Sequence, residues 1–281
     1  MSCSSRKRVG MIGRLNYLCS PELERPVLVV GWREDSGNLG EQVTKYLNQE
    51  LSLEPLAEID PVGYFSLSGV QVSADVVGFP ESRFYYSKTT SLISFISDIP
   101  VYEVNEFLKL VLEVATRYNA SRIILVNGFP VMASHNTPRT ILANVNSSLV
   151  REWISGDGIN TDVNFESPPG QKPPVSTYLI WKAGQLDISA VSLWLPVPFY
   201  LAAAVDSIGA RQLLEFLKEK LTLPLDMNTA VADENHLREL LANLRSNSRD
   251  VEKYLSMMER NLSLTEYEAG QLVAEVRQAA S

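Results

Sequence analysis

"PVLVVGWREDSGNLGEQVTKYL", residues 26–47, decides the fold. Val27 to Val30 form an unbroken apolar run, the pattern of a strand covered on both faces. From Leu39 the period changes, and Leu39, Val43, Tyr46, Leu47 and Leu51 recur at helical intervals. Between the two patterns lie Gly31, Gly37 and Gly40. The stretch reads as strand, glycine turn, helix, which is also how many nucleotide sites begin.

The phosphate fingerprints fail. A Walker-type loop needs GxxxxGK[ST], because the Lys reaches the phosphates and the hydroxyl holds magnesium, yet Gly40 is followed by Glu41 and Gln42. A dinucleotide turn needs GxGxxG, and Arg33 stands where the second glycine belongs. Glu34, Asp35 and Glu41 outweigh Arg33, so the loop repels polyphosphate. Glu41 falls in the first helical turn, where a carboxylate complements the positive end of the helix dipole, so the protein supplies its own anion. The competing reading keeps Gly31, Gly37 and Gly40 as cofactor-binding candidates, through backbone N–H groups at Leu39 and Gly40 that receive a small anion or carbonyl.

Working outward, residues 1–25 lack periodicity and read as a loose N-terminal arm, with basic residues ahead of an apolar patch too short for a signal peptide. Residues 54–97 are rich in strand formers separated by Gly, Pro and Asp. Val104, Phe107, Leu108, Val111, Val114, Ala115 and Tyr118 then share one helical face, opened by Asp98 or Pro100. A second apolar strand, Ile123 to Val126, ends at Gly128 and Pro130. Strand, helix, strand in this order implies parallel pairing with a right-handed crossover. "RTILANVNS" reads as a strand, "NSSLVREWI" as a short helix and "VSTYLIWKAG" as a longer one. "DISAVSLWLPVPFY" holds a strand, and Asp206 caps the helix "SIGARQLLEFLKEKL". Residues 156–174, with three glycines and four prolines, read as a surface loop.

The expected fold is an α/β three-layer sandwich around a mostly parallel central sheet, occupying residues 26–225. Residues 226–281 form a C-terminal helical extension. There Leu237, Leu240, Leu241, Leu244, Val251, Leu255, Met258 and Leu262 follow a near-heptad spacing that Ser248 interrupts, fitting either a coiled coil or a hairpin packed on the domain.

Candidate chemistry is sparse. His135, followed by Asn136 and Arg139, lies just after the second apolar strand, and loops at strand carboxyl ends are where open α/β sheets bind ligands. His135 and Arg139 could together hold an oxyanion; the bland reading is a hydrogen-bonded loop histidine. His236 falls on the helical extension and reads as surface. No G-x-S-x-G elbow identifies a nucleophile. Glu34, Asp35 and Asp60 are the oxygen ligands magnesium would find, but solvated loop carboxylates are commoner; neither a metal nor a cofactor is expected. The 13 uncharged residues from Leu193 to Val205 read as core or subunit interface.

Lys and Arg number 25 against 33 Asp and Glu, a net charge of -8, and that field repels nucleic acid and anionic membranes. No apolar window is long enough to span a bilayer. Two cysteines, Cys3 and Cys19, are too few for a disulfide framework and fit a reducing, cytoplasmic location.

Taken in order, "PVLVVGWREDSGNLGEQVTKYL", "ASRIILVNGFPVMASHNTPRT" and "SLWLPVPFYLAAAVDSIGARQLLEFL" resemble the proteasome assembly chaperone type-two family over roughly residues 26 to 225. That resemblance implies a domain similar to purine nucleoside phosphorylases followed by a helical tail, and a homo-oligomer, often a trimer. Family tails that dock on proteasome rings end in a hydrophobic-Tyr-x motif, whereas this chain ends "VRQAAS", so docking by that route is not expected. The expectation is a non-enzymatic, homo-oligomeric, chaperone-like protein that binds protein partners. The alternative is an enzyme handling a nucleoside or phosphate ester with the Gly37–Gly40 turn, His135 and Arg139.

Overall fold

The computed structural model describes residues 10–12, 14–33, 35–73, 75–156, 158–163 and 174–279. Cys3, Glu34 and most of the 156–174 loop lie outside the described residues.

The glycine turn joins β3 (Val27–Trp32) to α1 (Leu39–Glu50). Two later strands flank β3 in parallel: β8 (Leu92–Ser97) and β9 (Arg122–Val131). The crossover between those two is α2 (Val104–Arg117). This helix starts after Glu103 rather than at Asp98 or Pro100, because residues 99–102 run alongside Tyr64, whose carbonyl accepts from the N–H groups of Val101 and Tyr102. Beyond β9 lies β12 (Ala190–Pro198), again parallel.

Antiparallel strands flank this parallel block on both sides, so the sheet is mixed rather than mostly parallel. On one side β4 (Glu54–Ile59), β7 (Ser82–Ser87) and β8 form a meander, in which the short turn from Ser87 to Leu92 returns the chain antiparallel. A small hairpin, β5 (Gln71–Ser73) and β6 (Val76–Gly78), interrupts the meander as a separate two-stranded sheet. The stretch read as a loose arm extends the same edge, with β1 (Gly10–Ile12) and β2 (Leu15–Tyr17) pairing on to β4. Leu15 and Tyr17 are buried there, and a strand of three residues is too short to show a period. On the other side β10 (Ile141–Val145) runs antiparallel to β12, and β11 (Ile159–Asn160) borders β10. The ten-stranded order is β1-β2-β4-β7-β8-β3-β9-β12-β10-β11.

Alternating side chains of the central strands feed two cores. Leu28, Val30, Trp32, Ile123 and Leu125 pack with α2 and α4 (Val175–Gly184). Val29, Ile124, Val126, Val191, Leu193 and Leu195 pack with α1, α3 (Ser148–Ile154) and α5 (Ser207–Leu221). The result is three layers, helix, sheet and helix. A buried polar chain lies on the α4 face of the sheet: Trp32 Nε1 donates to Ser176 Oγ (2.9 Å), Ser176 to Asn127 Oδ1 (2.6 Å), and Asn127 Nδ2 to Ser192 Oγ (3.0 Å).

The helical extension comprises α6 (Asn228–Asn247), α7 (Arg249–Glu259) and α8 (Glu266–Ala279). Leu237, Leu241, Val251, Leu255, Met258, Leu272 and Val276 join the second core rather than a seam of their own. Ser248, the interruption in the heptad pattern, is the N-cap of α7, its hydroxyl accepting from Val251 N–H. Polar clamps add to the apolar packing: Glu234 is held by Arg211 (2.6 Å) and Arg238 (2.7 Å), and Glu259 accepts from Asn136 Nδ2 (3.0 Å) and Arg245 Nη1 (2.8 Å).

Candidate functional site

The carboxyl ends of β3, β9 and β12 converge where an α/β sheet presents its binding crevice. Gly31 and Gly40 let α1 approach β3: a Cβ on Gly31 would lie 2.1 Å from the Gly40 carbonyl oxygen. Gly37 sits at φ 73°, the left-handed region that favours glycine. Gly128 serves the same close packing from β9, since a Cβ there would meet the Ser36 carbonyl oxygen at 2.0 Å.

Asp35 fills the turn. Its carboxylate accepts from Gly128 N–H (2.7 Å) and from Gly40 N–H (3.2 Å to each oxygen). These are the donors an external anion would use. Burial pushes the Asp35 carboxyl up to about 7, while the N–H bonds from Gly128 and Gly40 pull it down. Glu41 instead pairs with Arg33 (3.4 Å) and Lys45 (2.9 Å).

The turn is stitched to the segment after β12. Gly37 N–H donates to Ala202 O and Asp206 N–H to Gly37 O, both at 3.0 Å. Asp206, 0% exposed, caps α5 by accepting from Gly209 N–H (3.1 Å) and pairs with Arg139, whose side chain is 6% exposed. Arg139 Nη2 has no partner among the described residues. His135 is tied to Tyr200, whose hydroxyl accepts from the His135 N–H (2.7 Å) and lies 2.8 Å from Nδ1. Burial, with Arg238 and Arg139 nearby, holds His135 down at about 4, so it is neutral at physiological pH. Burial raises the Tyr200 hydroxyl above its usual range.

The fold thus brings Gly37 and Arg139 together through Asp206, and sets His135 against Tyr200. Gly31 and Gly40 lie back at the strand–helix contact. His236 is exposed and borders a cleft of 490 Å³ between the Tyr200–Ser207 segment, α6 and α8. Asp60 accepts from Val62 N–H, and no group of three metal-ligating side chains exists among the described residues. Sequence reasoning passed over Asp35 as a loop charge; the signal available was a carboxylate just ahead of a helix start. Gly128 and Tyr200 carry no local signal, because their partners are distant in sequence.

Chemically this cluster binds itself. The backbone donors of Gly40, Gly128 and Gly209 are capped by Asp35 and Asp206, and its histidine is neutral and bonded to a tyrosine.

Fold and site together define a three-layer α/β protein whose strand ends are closed by internal contacts and flanked by a packed helical tail. The PAC2 family profile matches residues 28–245, and the chain belongs to that family. Among curated proteins, no relative matches. Among solved structures, the chain is similar to a Mycobacterium tuberculosis protein of unknown function, at 19% identity over 98% of this chain and 95% of that one, TM-score 0.77. It is also similar to a proteasome-assembly chaperone homologue from the same organism, at 14% identity over 82% and 99% of the two chains, TM-score 0.66. PbaB of Pyrococcus furiosus, an archaeal proteasome activator, matches at 20% identity over 82% and 98%, TM-score 0.64.

Proposed function

We propose that this chain is a chaperone-like assembly protein of the cytoplasm that self-associates, with a trimer as the favoured count, and binds protein partners. The observation that carries this reading is an apolar surface around the β5–β6 hairpin. Leu67 is 84% exposed, Val72 and Val77 are each 70% exposed, and Val62, Val101 and Tyr102 lie in the adjoining segments. Residues 61–73 contain no charged side chain. Exposed apolar patches of this kind mark protein interaction surfaces. Two solved structures of this fold are described as a proteasome-assembly chaperone homologue and a proteasome activator, which supports an assembly role. The rival enzymatic reading has less support, because Asp35 already takes the donors at Gly40 and Gly128.

The test is solution mass by light scattering. Wild type is expected at a multiple of 31.3 kDa, and the double variant Leu67→Asp, Val72→Asp at the monomer mass. A monomeric wild type would remove self-association from the proposal. Thermal unfolding against nucleosides, nucleotides and phosphate checks the rival: a specific rise in the midpoint, lost in His135→Ala, would restore the enzyme.

A further inference from the structure

The uncharged run from Leu193 to Val205 outlasts β12, which ends at Pro198. Its remainder leaves the sheet and forms one wall of the 490 Å³ cleft, with α6 and α8 as the others. Leu201 there is fully buried, whereas Val205 is 50% exposed. Leu237 and Leu240 from α6 and Val273 from α8 continue the apolar lining. Asn38 of the glycine turn borders the same cleft, so it opens beside the carboxyl ends of the strands, where α/β sheets place their ligands. All three walls are unbroken stretches of described chain: residues 199–207, the whole of α6 and the whole of α8. The volume falls in the range of roughly 300–1,000 Å³ that suits a small organic ligand.

One end of this lining is polar and unsatisfied. Ser207 opens α5, borders the cleft and is 8% exposed, yet its hydroxyl has no hydrogen-bond partner among the described residues. The N–H groups of Ser207 and Ile208 have none either, because the cap serves only the next two: Gly209 through the Asp206 carboxylate and Ala210 through the Asp206 carbonyl. Asp206 is paired with Arg139, which compensates its charge. The one carboxylate that lines the cleft, Asp233, takes the Tyr46 hydroxyl, and Arg277 sets a positive charge against it. The groups left over are donors at the positive pole of a 15-residue helix, and they select a ligand that ends in a negatively charged acceptor.

We propose that this cleft binds a small amphipathic carboxylic acid. The carboxylate accepts from the Ser207 hydroxyl and the leading N–H groups of α5, and the aliphatic or aromatic body lies among Leu237, Leu240 and Val273. The inference goes beyond the protein-binding reading and uses none of the hairpin residues, so the two fail separately.

The experiment labels the Leu and Val methyl groups of the full chain and follows them by NMR during titration with octanoate, phenylacetate and the matching amides. At least one acid is expected to shift the methyl groups of Leu237, Leu240 and Val273 saturably, and its amide to bind about tenfold more weakly for want of the charge. Ser207→Ala, which keeps the Asp206 cap, is expected to melt like wild type and to bind the acid about fivefold more weakly. Leu240→Trp, which fills the cleft, is expected to abolish the shifts. The proposal is overturned if neither acid gives a saturable shift at millimolar concentration, or if the shifts fall on Leu67 and Val72 instead. Equal binding of acid and amide, or binding that ignores Ser207→Ala, overturns the carboxylate assignment. Binding that appears only after deletion of Ala280 and Ser281 means that the chain's own end takes the cleft, and also overturns it. The Leu67→Asp, Val72→Asp protein is expected to bind the acid like wild type whatever its mass.

Discussion

Asp35 holds two buried N–H groups at the mouth of the sheet while sitting where burial disfavours its own charge. Replacing it with Ala leaves those donors without a partner, at about 1–3 kcal/mol each. Chemical denaturation of Asp35→Ala should register a loss of about 2 kcal/mol or more. The pH dependence has a definite sign. With the carboxyl raised from 3.8 to about 7, the folded state holds a proton that the unfolded chain releases, so this group's contribution declines as pH rises from about 4 to 7. Asp35→Asn, which stays neutral, should gain on wild type over that window in paired thermal melts, and a constant offset would refute the assignment. His135, lowered from 6.5 to about 4, acts oppositely in the same range: it supports the fold above 6.5 and withdraws that support as pH falls toward 4. Taking the difference between Asp35→Asn and wild type cancels the histidine.

Among the elements, those built from one local period were legible in sequence. Val27–Val30 and Ile123–Val126 became central strands, and the apolar stripe from Val104 to Tyr118 became a helix. Asp206 caps α5 as its position implied. What escaped was set by distant contacts. Leu15–Tyr17 is a strand only because β4, some 40 residues later, offers an edge, as the Leu15↔Ile59 register shows. The candidate site divides in the same way: the glycine spacing was visible, but the role of Asp35 depends on Gly128 from another strand. Ser248 gives an element-level test. Read as a defect in a heptad, Ser248→Leu should stabilise the tail; read as the α7 cap, it removes the acceptor for Val251 N–H and costs about 1 kcal/mol. Loss of stability with Ser248→Leu, measured by urea unfolding, is the expected result.

For the whole molecule, the shared core makes the tail part of the folding unit. Leu237, Leu255 and Leu272 lie in one cluster with Val29 and Leu193. Truncation after Leu225 is therefore expected to yield insoluble or molten protein, and the full chain to unfold in one calorimetric transition. A truncated chain that melts cooperatively would show instead that the sandwich stands alone. This coupling was not legible, because the spacing of Leu237, Leu241, Leu255 and Met258 fits a mutual seam as well as a shared core.

The placement of β3 bears on how the chain leaves the ribosome. The central strand of the parallel block is made early, yet its neighbours β8 and β9 begin at Leu92 and Arg122. At synthesis rates of about 5–20 residues per second, the apolar ribbon from Val27 to Trp32 waits roughly 3 to 12 s for its first sheet partner. Through that interval both of its edges can pair with another nascent copy on the same message, so the innermost strand of the finished protein is its most vulnerable segment during translation.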